Sequence, residues 1–425
     1  VRLRLLESRL PIRVDWDAAR GLELAREAWE LAQELGVEEA KARSLLGSAH
    51  LAAGEPAWME HYDEARRIAI ATGDVDTEAV VSNGLITAYF LNGESRRCID
   101  FADASIARMR GLRLRGWELQ MRSGRVGPLA MSFGRYIEAA DEAEFLVRQP
   151  DLDRMRKSNY SILGYCHSCL GNAKEAAAAF EAARSIEHPP TAAVTMLIAQ
   201  LEVDWWKRRL SHLEASADAG LAMGFDGYPT QPVLHVLREW ARFELRSEVS
   251  ESEPDIRFPV VRAVPIEIRA LRQWARGERE AAVEAFEEAA SAWKDVLVTG
   301  SMRCRWAQAE LLSQLGQRDP AAELAEAAME EARALHLAVV RPRLESVVRT
   351  ARGASIRTRR GPAGLTLREL EVMSLVADGL ASADIAARLA VTRSTVEGTV
   401  TSAMRKLDAA TRLEAVATLQ RMTSG

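Results

Sequence analysis

The chain has 425 residues, 48% of them hydrophobic and 28% charged, with a formal net charge of −5. That balance excludes a disordered polymer, and the length allows two or three domains with ample core. The longest apolar runs are too short to span a bilayer, and Val1–Glu7 lacks the apolar stretch of a secretion signal, so a cytoplasmic protein without a membrane partner is expected.

Residues 1–350 read as helix throughout. Alanine, leucine, glutamate and arginine dominate, apolar residues recur at i, i+3, i+4 and i+7, and no alternating β-branched run argues for a sheet. Asp17–Leu35 already has the pattern of a second helix in a hairpin, which predicts a neighbouring segment or subunit over that end. Glycines then punctuate the pattern: Gly54, Gly93, Gly134 and Gly171 are 39, 41 and 37 residues apart, and Gly277 and Gly316 are again 39 apart. A fixed period of this size predicts stacked helical hairpins, seven or eight of them.

One unit is legible in detail. Tyr160, Leu163, Gly164 and His167 stand where a first helix meets its partner, Gly171 makes the turn, and Ala176, Phe180 and Ala183 line the second helix. Gly277, Ala282, Phe286 and Ala289 repeat the spacing; Gly316, Ala321, Ala325 and Ala328 repeat it without the aromatic; Gly127, Gly134 and Ala139 fit a further unit. Small residues let helices approach and an aromatic fills the groove. The pattern resembles a tetratricopeptide repeat with a longer period. Residues 247–259, acidic and proline-bearing, are expected to form a loop that interrupts the array.

The array offers few chemical groups. Cys98, Cys166, Cys169 and Cys304 are too scattered for a disulfide framework, and Cys166-His167-Ser168-Cys169 has no second pair for zinc, so they read as small core residues. Seven histidines are dispersed; His50 and His61 share a helical stretch with no further ligand, so no metal site is expected. No nucleophile–base spacing stands out, and the chain is not expected to be an enzyme. No G-x-x-x-x-G-K-[ST] occurs, and none of the six lysines follows such a loop, so no nucleotide cofactor is expected. Stacked hairpins create a concave surface for a peptide, partner protein or small inducer. Trp205, Trp206, Trp240, Trp274 and Trp306 are candidates to line it or to fill grooves between helices. Adjacent helix residues face different directions, so at least one of Trp205 and Trp206 should point away from the core; that pair is the candidate ligand surface.

Charge is uneven. Residues 1–340 hold 42 basic and 53 acidic side chains, whereas residues 341–425 hold 14 and 8. The surplus lies in Arg341, Arg343, Arg349, Arg352, Arg357, Arg359 and Arg360, in and before a linker expected at 351–363. Arg357, Arg359 and Arg360 read either as a solvated linker or as a phosphate-contacting arm.

Residues 364–425 predict four short helices. Thr366 and Glu369 form a capping box; that helix runs to Asp378 and stops at Gly379. Ser382 caps a second helix carrying Ile385, Ala386 and Leu389 inward. After a turn at Ala390-Val391, Thr392 caps a third, with Val396, Val400 and Leu407 on its core face. Thr411 and Glu414 open the fourth. Two helices joined by a tight turn can lay the later one in the major groove.

The motifs Leu365-Thr366-x-Arg368-Glu369-x-Glu371-Val372, Val376-Ala377-x-Gly379, Ile385-Ala386-x-x-Leu389, Thr395-Val396, Lys406-Leu407 and Arg412-x-Glu414-Ala415-Val416 resemble the LuxR-type (GerE-type) signature in order and spacing. The resemblance implies an all-α chain: a tetratricopeptide-like helical-hairpin solenoid followed by a four-helix LuxR-type helix-turn-helix domain. It also implies a bacterial transcriptional regulator that binds double-stranded DNA as a homodimer, with its last helix taking part in dimerisation and RNA polymerase a candidate partner. The repeats are similar, more weakly, to the C-terminal half of the large ATP-binding LuxR-type (MalT-like) regulators; their ATPase module is not carried over. By position, the resemblance places Thr392, Arg393, Ser394, Thr395, Glu397, Gly398 and Thr401 toward backbone or base edges, and Arg405 and Lys406 at phosphate.

This chain departs from the family pattern at Glu397, Gly398 and Thr399, where a lysine, a variable residue and a histidine are usual, and at Ser382-Ala383, where Asn-Lys is usual. Glu397 repels phosphate but can accept from cytosine N4. Residues 365–425 hold seven basic and seven acidic side chains, which weakens non-specific affinity. The departures leave a second reading open: an interaction scaffold whose helix-turn-helix serves dimerisation and no longer binds DNA.

Overall fold

A computed structural model describes residues 2, 7, 17–187, 190–223, 229–245, 248–352, 365, 367–377, 380–389, 391–407, 409 and 411–423. Among these every regular element is helical, and no helix is long and apolar enough to cross a membrane. The chain divides into two compact units, Val1–Val348 and Arg349–Gly425.

The first unit opens with α1 (Ala18–Leu35), capped by the Asp17 carboxylate on the Arg20 amide. Seven helical hairpins follow, with one helix inserted among them. The first four are α2 (Glu39–Ala52) with α3 (Trp58–Thr72), α4 (Val75–Leu91) with α5 (Ser95–Gly111), α6 (Arg115–Met131) with α7 (Tyr136–Val147), and α8 (Asp153–Leu170) with α9 (Ala173–Arg184). Next come α10 (Pro190–Trp206) with α11 (Leu210–Leu221), and the inserted α12 (Pro232–Glu244). The last two hairpins are α13 (Ala263–Ala275) with α14 (Arg279–Trp293) and α15 (Val298–Gln314) with α16 (Arg318–Ala334); α17 (Arg341–Ala351) ends the array. Residues 248–258, expected as a loop, are non-helical.

The glycine period marks real turns, because Gly54, Gly93, Gly134, Gly171, Gly277 and Gly316 all have positive φ. Gly54 shows why no other residue serves: φ is +72°, and a Cβ would lie 2.8 Å from the carbonyl oxygen of Arg257. Gly164 has a different reason. A Cβ there would meet the Phe180 ring at 2.9 Å, so its absence sets the approach of α8 to α9.

The turns of the early hairpins are not left open. The Gly54 turn meets Arg257, the Gly134 turn meets Leu335, and the Gly171 turn meets Ala338. The Ser132 hydroxyl donates to the Val296 carbonyl at 3.0 Å, the Tyr165 and Thr299 hydroxyls are hydrogen-bonded at 3.0 Å, and the Ala338 amide donates to the Cys169 carbonyl at 2.7 Å. The later part of the array thus closes on the earlier part, and one continuous core runs from Leu91 to Val347. All four cysteines are buried free thiols; burial pushes Cys98 up to about 12.

At the centre of this closure lies a fully buried charged cluster. Arg303 on α15 donates from Nη1 to both Glu202 oxygens (2.7 and 2.8 Å), from Nε to Glu267 Oε1 (2.7 Å) and from Nη2 to Glu267 Oε2 (3.0 Å). Glu267 also accepts the indole N–H groups of Trp240 and Trp293, each at 2.6 Å. Burial raises the Glu202 carboxyl above the usual carboxylate range despite its arginine. Five helices (α10, α12, α13, α14 and α15) therefore meet through hydrogen bonds whose groups have no contact with water.

The tryptophans sit beside this cluster. Trp205 packs edge-on against Trp206, Trp240 and Trp306, with ring centroids 4.7–5.4 Å apart. The expected outward-facing member of the Trp205–Trp206 pair does not exist: Trp205 is 0% and Trp206 3% exposed. The physical reason is that the C-terminal end of α10 has protein on every side, so that Leu201 to Trp206 are all buried, the charged Glu202 and Asp204 included. Neighbouring residues do face different directions, but both meet protein. Arg343 of α17 covers Trp205, its guanidinium carbon 3.9 Å from the ring centre, and binds Glu244 Oε1 (2.8 Å) and the Trp205 carbonyl (2.7 Å).

Removing Arg303 would strand two buried carboxylates. Arg303→Leu should lower unfolding free energy by about 3–5 kcal/mol, read from urea denaturation. Removal of the exposed Arg184–Glu181 pair (2.6 Å) as Arg184→Ala should leave the urea midpoint nearly unchanged.

Candidate nucleic-acid interface

The second unit holds α18 (Leu367–Ala377), α19 (Ser382–Arg388), α20 (Arg393–Lys406) and α21 (Arg412–Thr423). Its core is built from one face of each helix: Val372, Met373 and Val376; Ile385 and Ala386; Val396, Val400, Ala403 and Leu407; and Ala415. α20 is the central element, packed on α18, α19 and α21. It starts sharply because Thr392 is extended (φ −76°, ψ 151°) and its hydroxyl accepts the Thr395 amide at 3.2 Å. The Thr411 hydroxyl likewise accepts the Glu414 amide at 3.2 Å and opens α21.

Ser382 differs from its expected cap role. It is the first helical residue of α19, while the Ala381 carbonyl accepts the Asp384 and Ile385 amides at 3.0 Å. The Ser382 hydroxyl instead accepts Arg412 Nη2 at 2.8 Å, tying the start of α19 to the start of α21. Thr366, Gly379 and Ala390, with Arg357, Arg359 and Arg360 of the linker, lie outside the described residues.

With Val396, Val400, Ala403 and Leu407 inward, helical spacing brings Arg393, Ser394, Glu397, Gly398, Thr401 and Arg405 onto one exposed stripe. Thr392 and Thr395 are exposed at its N-terminal edge, where the Thr392 hydroxyl contacts those of Ser394 (2.9 Å) and Thr395 (2.8 Å). Arg393 Nε donates to Glu397 Oε1 at 2.7 Å, one turn along, so the first cation of the stripe carries its own counter-charge. The Thr401 hydroxyl donates to the Glu397 carbonyl at 2.9 Å. Arg405 is exposed near the other end.

Lys406, expected among phosphate contacts, has a carboxylate partner within the unit. Its ammonium donates to Glu369 Oε2 at 2.6 Å, and the Ser402 hydroxyl donates to Glu369 Oε1 at 2.7 Å. Glu369 is 6% exposed. A buried carboxylate on α18 therefore holds the C-terminal half of α20 by two bonds, and the Lys406 charge is taken up inside the unit. Sequence reasoning assigned Glu369 only to a cap; the 33- and 37-residue separations from its partners carry no local signal.

A Cβ at Gly398 would meet nothing within 4 Å. Gly398→Ala should therefore stabilise the unit by about 1 kcal/mol, read as a raised midpoint in thermal unfolding. If the missing side chain serves close approach of DNA, the same variant should bind DNA more weakly while being the more stable protein.

No curated protein matches the chain. Residues 363–419 match the family described as bacterial regulatory proteins, luxR family. The four-helix unit with its exposed α20 stripe is thus a helix-turn-helix domain of the luxR family of bacterial regulatory proteins, a DNA-binding family.

Proposed function

We propose that this protein is a sequence-specific DNA-binding transcriptional regulator whose helical-repeat unit senses a small ligand or a protein partner. The observation that carries the reading is the exposed polar stripe of α20 within a segment that matches the luxR family. In this reading the N-terminal end of α20, with Thr392 to Thr395, enters the major groove, where helix N–H groups favour phosphate. Glu397, Gly398 and Thr401 face base edges, and Arg405 meets the backbone. The protein acts in the cytoplasm, at the nucleoid, as a homodimer on DNA with RNA polymerase as a further partner. Leu413, 82% exposed on α21, offers an apolar contact for the second copy. The repeat unit, tetratricopeptide-like in its glycine and alanine spacing, resembles the repeats of the MalT-like regulators in this role.

A second reading is favoured by the charges. Glu397 neutralises Arg393, Glu369 takes Lys406, and residues 365–425 balance seven basic against seven acidic side chains. A domain with so few free cations could serve dimerisation instead, as part of an interaction scaffold.

Selection of genomic DNA fragments by the purified full-length protein at two salt concentrations separates the two readings. Enrichment of a shared, two-fold symmetric site, lost in Arg393→Ala/Thr395→Ala, is the outcome expected for a regulator; no enrichment by a folded protein would favour the scaffold. Replacing Arg357, Arg359 and Arg360 by alanine should weaken binding at all sequences and flatten its salt dependence, by about one unit of slope for each phosphate no longer neutralised. An unchanged slope would assign those arginines to a solvated linker. Glu397→Lys frees Arg393 and adds a cation, so non-specific affinity should rise; a flat response would mean the residue does not face DNA.

A further inference from the structure

Where the later part of the array closes on the earlier part, the packing leaves a cavity of about 250 Å³. Its wall comes from distant parts of the unit: Phe90 of α4, Ile198 of α10, Val233 of α12, Val261 of the turn before α13, and Trp293 and Leu297 around the end of α14. Apart from Phe90 these are buried. Thr87, which is exposed, stands at the edge. Among the described residues, no ionisable side chain lines the cavity. The indole N–H of Trp293 is already committed to Glu267, and the Val296 carbonyl already accepts from Ser132.

One polar atom is left over. Thr230 lines the cavity, and its hydroxyl oxygen is shielded from solvent and has no hydrogen-bond partner among the described residues. A buried hydroxyl without a partner is costly. An ordered water is a poor remedy, because it needs two to four polar partners and the lining is almost wholly apolar. The other lining hydroxyl, Thr87, already donates to the Asn83 carbonyl at 3.3 Å.

We propose that this cavity is a binding site for a neutral, mostly hydrocarbon small molecule carrying one hydroxyl or carbonyl oxygen, which pairs with Thr230. Size follows from volume: benzene occupies a cavity of about 150 Å³, so this one takes about ten non-hydrogen atoms. The lack of a cationic or anionic partner excludes a charged ligand, whose desolvation would go uncompensated. Because α4, α10, α12 and α14 all contribute, an occupant is held between earlier and later helices of the closed array, and Trp293 joins its wall directly to the Glu267–Arg303 cluster. The use of the site for sensing rests on the regulator reading above; the site itself does not.

The test uses the full-length protein without DNA, by isothermal titration calorimetry and thermal shift with 1-nonanol, n-nonane and nonanoate. Expected are saturable binding of nonanol with a raised unfolding midpoint, and no binding of nonanoate. Thr230→Val should weaken nonanol about tenfold, the value of one lost hydrogen bond, and leave nonane unchanged. Val261→Phe, which fills the cavity, should abolish binding; Val233→Phe does the same from another wall if the first variant folds poorly. Absence of saturable nonanol binding, nonanoate binding as tight as nonanol, or nonanol affinity unchanged in folded cavity-filled variants would overturn the assignment. DNA affinity measured with and without nonanol then tests the sensing reading separately, since ligand binding is scored whether or not the protein binds DNA.

Discussion

A guanidinium sealed from water must find acceptors for its N–H groups, and that requirement organises the larger unit. Arg303 meets it with two carboxylates from different helices, and the carboxylates in turn require Trp240 and Trp293 to point their indole N–H groups at Glu267. Each partner fixes the rotation of the helix that carries it. The cluster is therefore weak evidence for stability by itself, since apolar packing of equal volume often does as well. Its physical contribution is geometric, because the closed arrangement satisfies all these groups at once. Arg343 ties the last helix of the unit to the same core, its guanidinium lying between Trp205 and Trp306, although its Nε finds no acceptor among the described residues.

The smaller unit uses charge in the opposite way. Its core is apolar and ordinary, and its buried carboxylate, Glu369, holds two residues of α20 rather than a partner on DNA. The orientation of α20 on α18 is thereby built into the domain itself. Positive charge available to phosphate falls as a result. On the proposed regulator reading, such a domain would draw its affinity from base-edge contacts and neighbouring segments more than from its own electrostatics.

Much of this was legible in the sequence because it is local. Gly54, Gly93, Gly134 and Gly171 betray the hairpin turns by period alone, and the Gly164–Phe180 pair reveals a close helix approach. The inward faces of α19 and α20, and the caps at Thr392 and Thr411, follow from spacing and side-chain chemistry. What was illegible is non-local. Glu202 and Arg303 lie 101 residues apart and Trp205 and Arg343 lie 138 apart, so nothing in their own helices announces the partner. A hint exists in hindsight: Glu202 and Asp204 interrupt an otherwise apolar run, Leu201 to Trp206, where a charge is out of place unless paired. The expectation of an outward tryptophan failed for the same cause. It treats α10 as a surface helix, although its C-terminal end, Leu201 to Trp206, is enclosed by protein on every side. The Ser382–Arg412 and Lys406–Glu369 bonds were equally illegible, because a short domain lets a residue 30 or more positions away engage a side chain whose own neighbourhood gives no sign of it.

The closure of the array has a consequence for how the protein can change over time. Repeat proteins in which each hairpin touches only its neighbours can gain or lose units, and they fray from their ends. Here the turns of early hairpins are capped by Arg257, Leu335 and Ala338, far along the chain. Deleting or duplicating one hairpin would shift every later cap off its turn, so the number of hairpins is locked by geometry. The same long-range contacts must form before the early turns are covered, and contacts between segments so far apart in the chain slow folding.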